Sequence, residues 1–198
     1  MSTELITKLR EMTGAGIMDC RNALKENTND IDKACQWLRE KGIATAVKRA
    51  GRSAKQGLVH SYIHGNGTLG VLVEVNCETD FVAKTADFQN LVKEIAMQVA
   101  AVSPLYVTRE QVPASVVEAE KEIYKAQLKE EGKPEKAWDK IIEGKIEKYY
   151  SQVCLYDQPY MRDTTGKETI KDLVTNAIAK TGENMVIKRF ARFKLGEE

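Results

Sequence analysis

Long apolar runs are the first thing this chain lacks. None approaches the roughly 18 residues a membrane-crossing helix needs, so no membrane span is expected. The opening Met1-Ser2-Thr3-Glu4 has no basic-then-apolar export segment, and an intracellular, cytoplasmic protein is expected. A dominant charge is missing too. Against 29 acidic residues stand 30 basic ones, a net charge of +1, which argues against a surface dedicated to polyphosphate and leaves room only for a local basic patch. The four cysteines, Cys20, Cys35, Cys77 and Cys154, form no C-x-x-C pair, and each lies in an apolar-periodic segment. Buried free thiols in a reducing compartment are therefore expected, rather than a disulfide framework or a zinc site. The two histidines, His60 and His64, are four apart, a helical metal spacing, but along a strand that separation is about 13 Å, too far to share one ion. No G-x-S-x-G, H-E-x-x-H or phosphate-cradling G-x-x-x-x-G-K-[ST] occurs. Without a catalytic constellation the chain reads as a binding protein, not an enzyme, with no cofactor or metal.

What is present is an ordinary globular composition, 198 residues with 42% hydrophobic and 30% charged, enough for one core and a small appendage. Residues 3 to about 51 show no strand signal. Ile6, Leu9 and Met12 make a first helical stripe, ended by Thr13-Gly14-Ala15-Gly16. A second helix starts at Ile17 with Met18, Ala23 and Leu24 near one face. Asn27 to Asn29 end it, and Asp30 offers a cap to a third helix carrying Ile31, Ala34, Cys35 and Leu38, expected to close at Gly42. Ile17 and Met18 fit either the core or an exposed apolar spot for a partner. From Val47 to Lys55, Lys48, Arg49, Arg52 and Lys55 among small residues mark a domain boundary. Such charges are a solvated helix end or a grip on RNA or an acidic protein surface.

Leu58–His64 and Leu69–Asn76, around Asn66-Gly67, predict a β-hairpin whose Leu58, His60, Tyr62, Val71, Val73 and Val75 share one face. Phe88, Leu91, Val92, Ile95, Val99 and Val102 then recur at helical spacing. Between strand and helix lies Asn76-Cys77-Glu78-Thr79-Asp80-Phe81-Val82. Its acid and aromatic are either a helix cap with a core anchor or a projecting wedge. Further on, Ser115 and Glu118 predict a capping box for a helix to about Glu131, with Val116, Ala119, Ile123, Ala126 and Leu128 as its seam. After Gly132-Lys133-Pro134 a second helix to about Tyr150 carries Trp138, Ile141, Ile142, Ile146 and Tyr149, completing a charged helical hairpin. Cys154-Leu155-Tyr156 and Pro159-Tyr160-Met161 read as extended, Glu168 to Lys180 as a last helix and Val186 to Leu195 as a closing strand. The class is α+β.

Three strings are more specific than any of these patterns: Leu9-Arg10-Glu11 through Thr13-Gly14-Ala15-Gly16-Ile17-Met18-Asp19-Cys20, Leu72 through Thr79-Asp80-Phe81-Val82-Ala83-Lys84, and Gln158-Pro159-Tyr160. Together the chain resembles the bacterial and organellar translation elongation factor Ts family over nearly its whole length. The resemblance implies a ubiquitin-associated-like three-helix domain over 1–51, a basic linker at 52–56, and a core of antiparallel sheet with packed helices over 57–198, with a coiled-coil arm at about 115–150. It implies a guanine-nucleotide exchange factor for elongation factor Tu. Thr79, Asp80, Phe81 and Val82 would enter the GTPase and disturb its magnesium site, and Ile17, Met18, Asp19 and Cys20 would border a docking surface. Longer family members carry two related core subdomains. Only one Thr-Asp-Phe-Val junction occurs here, so a homodimer of the short form is expected, without membrane or direct nucleic-acid binding. The alternative is an RNA-associated adaptor using the basic linker.

Overall fold

A computed structural model of the chain describes residues 2–197. It is α+β, with eight α-helices among the described residues and one three-stranded antiparallel sheet of order β1-β2-β3. Two compact units divide it. One holds the chain up to Val59 with Glu74–Lys93 and Asp172–Lys188; the other holds His60–Val73, Glu94–Lys171 and the chain from Arg189. No helix of the described residues is long and apolar enough to cross a membrane.

The first unit opens with α1 (Thr3–Thr13), α2 (Ile17–Glu26) and α3 (Ile31–Arg49). Ser2 caps α1 by accepting from the Glu4 amide, Gly14 ends it in the left-handed region at φ 65°, and Asp30 caps α3 by accepting from the Lys33 amide at 3.1 Å. Leu9, Cys20, Ala23, Leu24 and Ala34 are buried between the three, with Trp37 and Leu38 packed on them. Met12, placed by spacing in the same apolar stripe as Leu9, is exposed. The expected stop at Gly42 does not occur, and α3 runs on to Arg49. Gly42 is there for close approach instead: a Cβ on it would sit 3.3 Å from that of Ala179, in α8 (Ile170–Thr181).

The strands are β1 (Gln56–His64), β2 (Leu69–Cys77) and β3 (Met185–Lys194). Burial alternates as the sequence predicts. Val71, Val73, Val75 and Cys77 are buried and Leu58, His60 and Tyr62 half-buried, while the residues between them are more open. The turn closes on Asn66-Gly67, where the Thr68 amide donates to the Gly65 carbonyl at 3.2 Å and both central residues have positive φ. Gly65 is left-handed as well, at φ 59°, so the strands part at His64 and Leu69. Past β2, a one-turn helix α4 (Asp80–Ala83) precedes α5 (Ala86–Val102), whose Phe88, Leu91, Val92, Ile95 and Val99 are buried while Val102 is exposed.

The second unit carries α6 (Ala114–Glu130) and α7 (Trp138–Val153), side by side. The capping box does not form: Pro113 precedes α6 without a side-chain cap, and Glu118 pairs with Lys121 at 2.6 Å. The seam also differs. Val117, Tyr124 and Leu128 meet Trp138, Ile141, Ile142, Ile146 and Tyr150, whereas Ala119, Ile123 and Ala126 face solvent. The large Tyr124 ring covers more apolar surface than alanines do, and it sets the rotation of the helix. Leu155–Asp157 is a 3-10 turn where extended chain was expected, although Cys154 makes a parallel bridge to Tyr106. Gln98 and Gln158 are buried and satisfied: Gln98 donates to the Gln158 side chain and the Pro159 carbonyl and accepts from the Met161 amide.

Candidate functional site

The strand-to-helix junction is built from the ladder outward. β2 delivers Cys77 to the interior, and its thiol donates to the Thr79 carbonyl at 3.1 Å. Burial, with the nearby Glu183 charge, pushes that thiol up to about 11 and keeps it a neutral donor at pH 7. Thr79 is extended and caps α4, its Oγ1 accepting from the Val82 amide at 3.3 Å. The cap is therefore Thr79 and not Asp80, a distinction spacing could not make between adjacent polar residues. Asp80, exposed in the first turn, lies with Oδ2 2.6 Å from Lys84 Nζ, and that ammonium holds its carboxyl below the ordinary range. Val82 is half-buried and Ala83 buried beneath the turn. Phe81 is 78% exposed, so it is no core anchor; Phe88 fills that role. A large ring held in water on an ordered turn is a feature that binding surfaces carry.

A loop from the other end of the chain holds the base of this turn. Glu183 accepts from the Thr79 amide at 3.0 Å and from its hydroxyl at 2.7 Å. Next to it, the Asn184 amide donates to Glu78 Oε1 at 2.7 Å, and the buried Asn184 side chain donates to the Arg52 carbonyl at 2.8 Å and the Ala50 carbonyl at 3.4 Å. Arg52 in turn lies 3.5 Å from Glu78 Oε2. The Asn184 amide, and then Arg52, hold the Glu78 carboxyl below the ordinary range. Arg52 is thus engaged with an internal carboxylate.

The four N-terminal residues separate into two groups. Ile17 and Met18, in the first turn of α2, are 56% and 63% exposed, and Asp19 Oδ1 lies 2.7 Å from Lys41 Nζ. Cys20 is fully buried in the three-helix core, its thiol donating toward the Ala15 carbonyl at 3.6 Å. Its side chain offers nothing to the surface, so any effect of Cys20 there runs through packing.

A family model described as Elongation factor TS matches residues 18–167. The chain belongs to the elongation factor Ts family. It is 57% identical over 197 residues to the Elongation factor Ts of Caldanaerobacter subterraneus subsp. tengcongensis, spanning 100% of this chain and 98% of that one. To the Elongation factor Ts of Thermotoga petrophila it is also 57% identical, over 100% and 97%, and to that of Moorella thermoacetica 56%, over 97% and 94%. The chain thus spans nearly the whole length of these family members. The matched span includes Thr79–Val82 but stops before Glu183 and Asn184. Those two are the residues that sequence reasoning missed. They lie 104 and 106 positions from their partners, and no helical or strand period reaches that far.

Proposed function

We propose that this protein is the guanine-nucleotide exchange factor for elongation factor Tu, promoting GDP release so that GTP can rebind during translation elongation. Phe81 is the apolar wedge and Asp80 the polar group that enter the GTPase and disturb its magnesium and phosphate contacts, with Thr79 and Val82 setting the geometry of the turn. The single observation carrying this reading is a phenylalanine exposed on a capped, doubly hydrogen-bonded turn. Because the factor favours a GTPase conformation in which nucleotide contacts are worse, factor and GDP weaken each other's binding by the same factor. An aromatic on a stiff turn suits this, since it buries much apolar area with little entropy to lose.

In the same reading α1–α3 form the ubiquitin-associated-like domain, which docks through Ile17, Met18 and Asp19 with Cys20 behind them. The helices α6 and α7 form the coiled-coil arm. A second copy of the chain supplies the half of the binding surface that one junction cannot. An open groove lined by Ile63, Leu72, Phe193 and Leu195, all exposed, supports the second copy.

The test is release of fluorescent GDP from elongation factor Tu. Wild-type protein accelerates it, and Phe81→Ala slows it by about thirtyfold, the equivalent of about 2 kcal/mol for a buried aromatic anchor. Asp80→Ala slows it less. Wild-type protein that leaves release unchanged overturns the function; both variants at the wild-type rate overturn the site.

A further inference from the structure

A rigid wedge needs something to aim it, and α4 cannot aim itself. It is a single turn of four residues, too short to be stable without outside contacts. Its exposed face adds little, because Phe81 is in water and the Asp80 side chain pairs with the exposed Lys84 of the next turn. Inward, Ala83 is buried and Val82 half-buried, and at its entrance the turn is capped by Thr79, which Glu183 holds. The Thr79 hydroxyl has one proton, and it goes to Glu183 Oε1 at 2.7 Å; this leaves its lone pairs for the Val82 amide at 3.3 Å. The other carboxylate oxygen takes the Thr79 main-chain N–H at 3.0 Å. One bidentate, charge-assisted contact therefore fixes both the backbone direction entering α4 and the rotamer that caps it. Glu183 is itself held: its amide donates to Thr181 Oγ1 at 3.3 Å, and its neighbour Asn184 is buried and tied to Glu78 and to the Ala50 and Arg52 carbonyls.

We infer that Glu183, anchored by Asn184, is a positioning residue for exchange, acting through Thr79 to hold Phe81 and Asp80 at the angle the partner requires. The inference rests on the wedge reading above. Without Glu183 the ring is still present and still exposed, but the turn carrying it samples other directions. The loss falls on the rate at saturation, since displacement by a small distance or angle is costly for a step that depends on alignment. Docking through the α2 surface is untouched, so the concentration for half-maximal rate changes little.

The experiment is GDP release from elongation factor Tu at varied concentrations of full-length protein, comparing wild type, Phe81→Ala, Glu183→Ala and the double variant. Glu183→Ala is expected to lower the saturating rate by roughly tenfold or more, with half-saturation within about twofold. On the Phe81→Ala background the same substitution costs several-fold less, because little of the wedge remains to be aimed. A merely structural role would give losses that multiply. Where Glu183→Ala fails to fold, Glu183→Gln carries the same test, since it keeps the size but loses one of the two acceptors. A wild-type saturating rate for the Glu183 variant, or multiplying losses, overturns the inference. If Phe81→Ala is slow while Glu183→Ala is not, this inference alone has failed. If Phe81→Ala exchanges as the wild type does, the wedge reading has failed and takes the inference with it.

Discussion

Two phenylalanines seven residues apart have opposite fates. Phe88 is fully buried at the start of α5, whereas Phe81 stands in solvent on α4. Stability should therefore depend on one and exchange on the other. Phe88→Ala is expected to cost about 3–5 kcal/mol, through lost burial and the cavity left behind. Phe81→Ala should change stability by less than about 0.5 kcal/mol, as for other exposed positions. Urea unfolding of the two variants checks this, and a large loss for Phe81→Ala would mean the ring packs inward. The polar residues around the turn have divided roles too. Thr79 takes the cap, Asp80 pairs with Lys84, and Glu78 accepts from the Asn184 amide. Three adjacent acids and hydroxyls looked interchangeable in the sequence, and only the direction of each side chain told them apart.

Among the elements, the hairpin leads into the junction, and Gly57 is where its two strands approach most tightly for a glycine. Gly57 has φ 141°, a region that favours glycine, and a Cβ there would lie 2.1 Å from the Val75 carbonyl oxygen and 2.7 Å from the Asn76 Cα. Gly57→Ala should push β1 off β2 close to where β2 ends at Cys77. The expected cost is at least about 1–3 kcal/mol, measured by thermal or urea unfolding; an alanine variant as stable as the wild type would mean that the strands adjust freely. The hairpin, the stripe of α5, the glycine stop of α1 and the Asp30 cap of α3 were all legible in the sequence, because each depends on residues within a few positions of one another. The α6 seam was not. Several apolar stripes of similar weight run along that helix, and which one faces α7 is decided by Tyr124, Leu128 and the α7 residues they meet.

At the scale of the molecule the question is how many copies act together. One chain carries one junction, and relatives match it over 100% of this chain and 97–98% of their own length. The proposed second copy predicts a solution mass of twice 22.2 kDa by sedimentation or light scattering. Phe193→Asp, at a residue 71% exposed in the apolar groove, should return the mass to that of a single chain if that face is the interface. A monomeric wild type with full exchange activity would overturn the homodimer.

By itself, the sequence determined the class of each long element, the place of the Thr79-Asp80-Phe81-Val82 turn between β2 and α5, and the family, since these rest on local periodicity and on long identical strings. The tertiary structure alone decided that Phe81 points to solvent, that Thr79 rather than Asp80 caps α4, that α3 continues past Gly42 beneath Ala179, and that Glu183 and Asn184 grip the base of the turn. The physical reason is common to all four. Whether a side chain is buried or free depends on what the rest of the chain brings against it. A carboxylate that finds its partner 104 residues away leaves no pattern in the residues beside it.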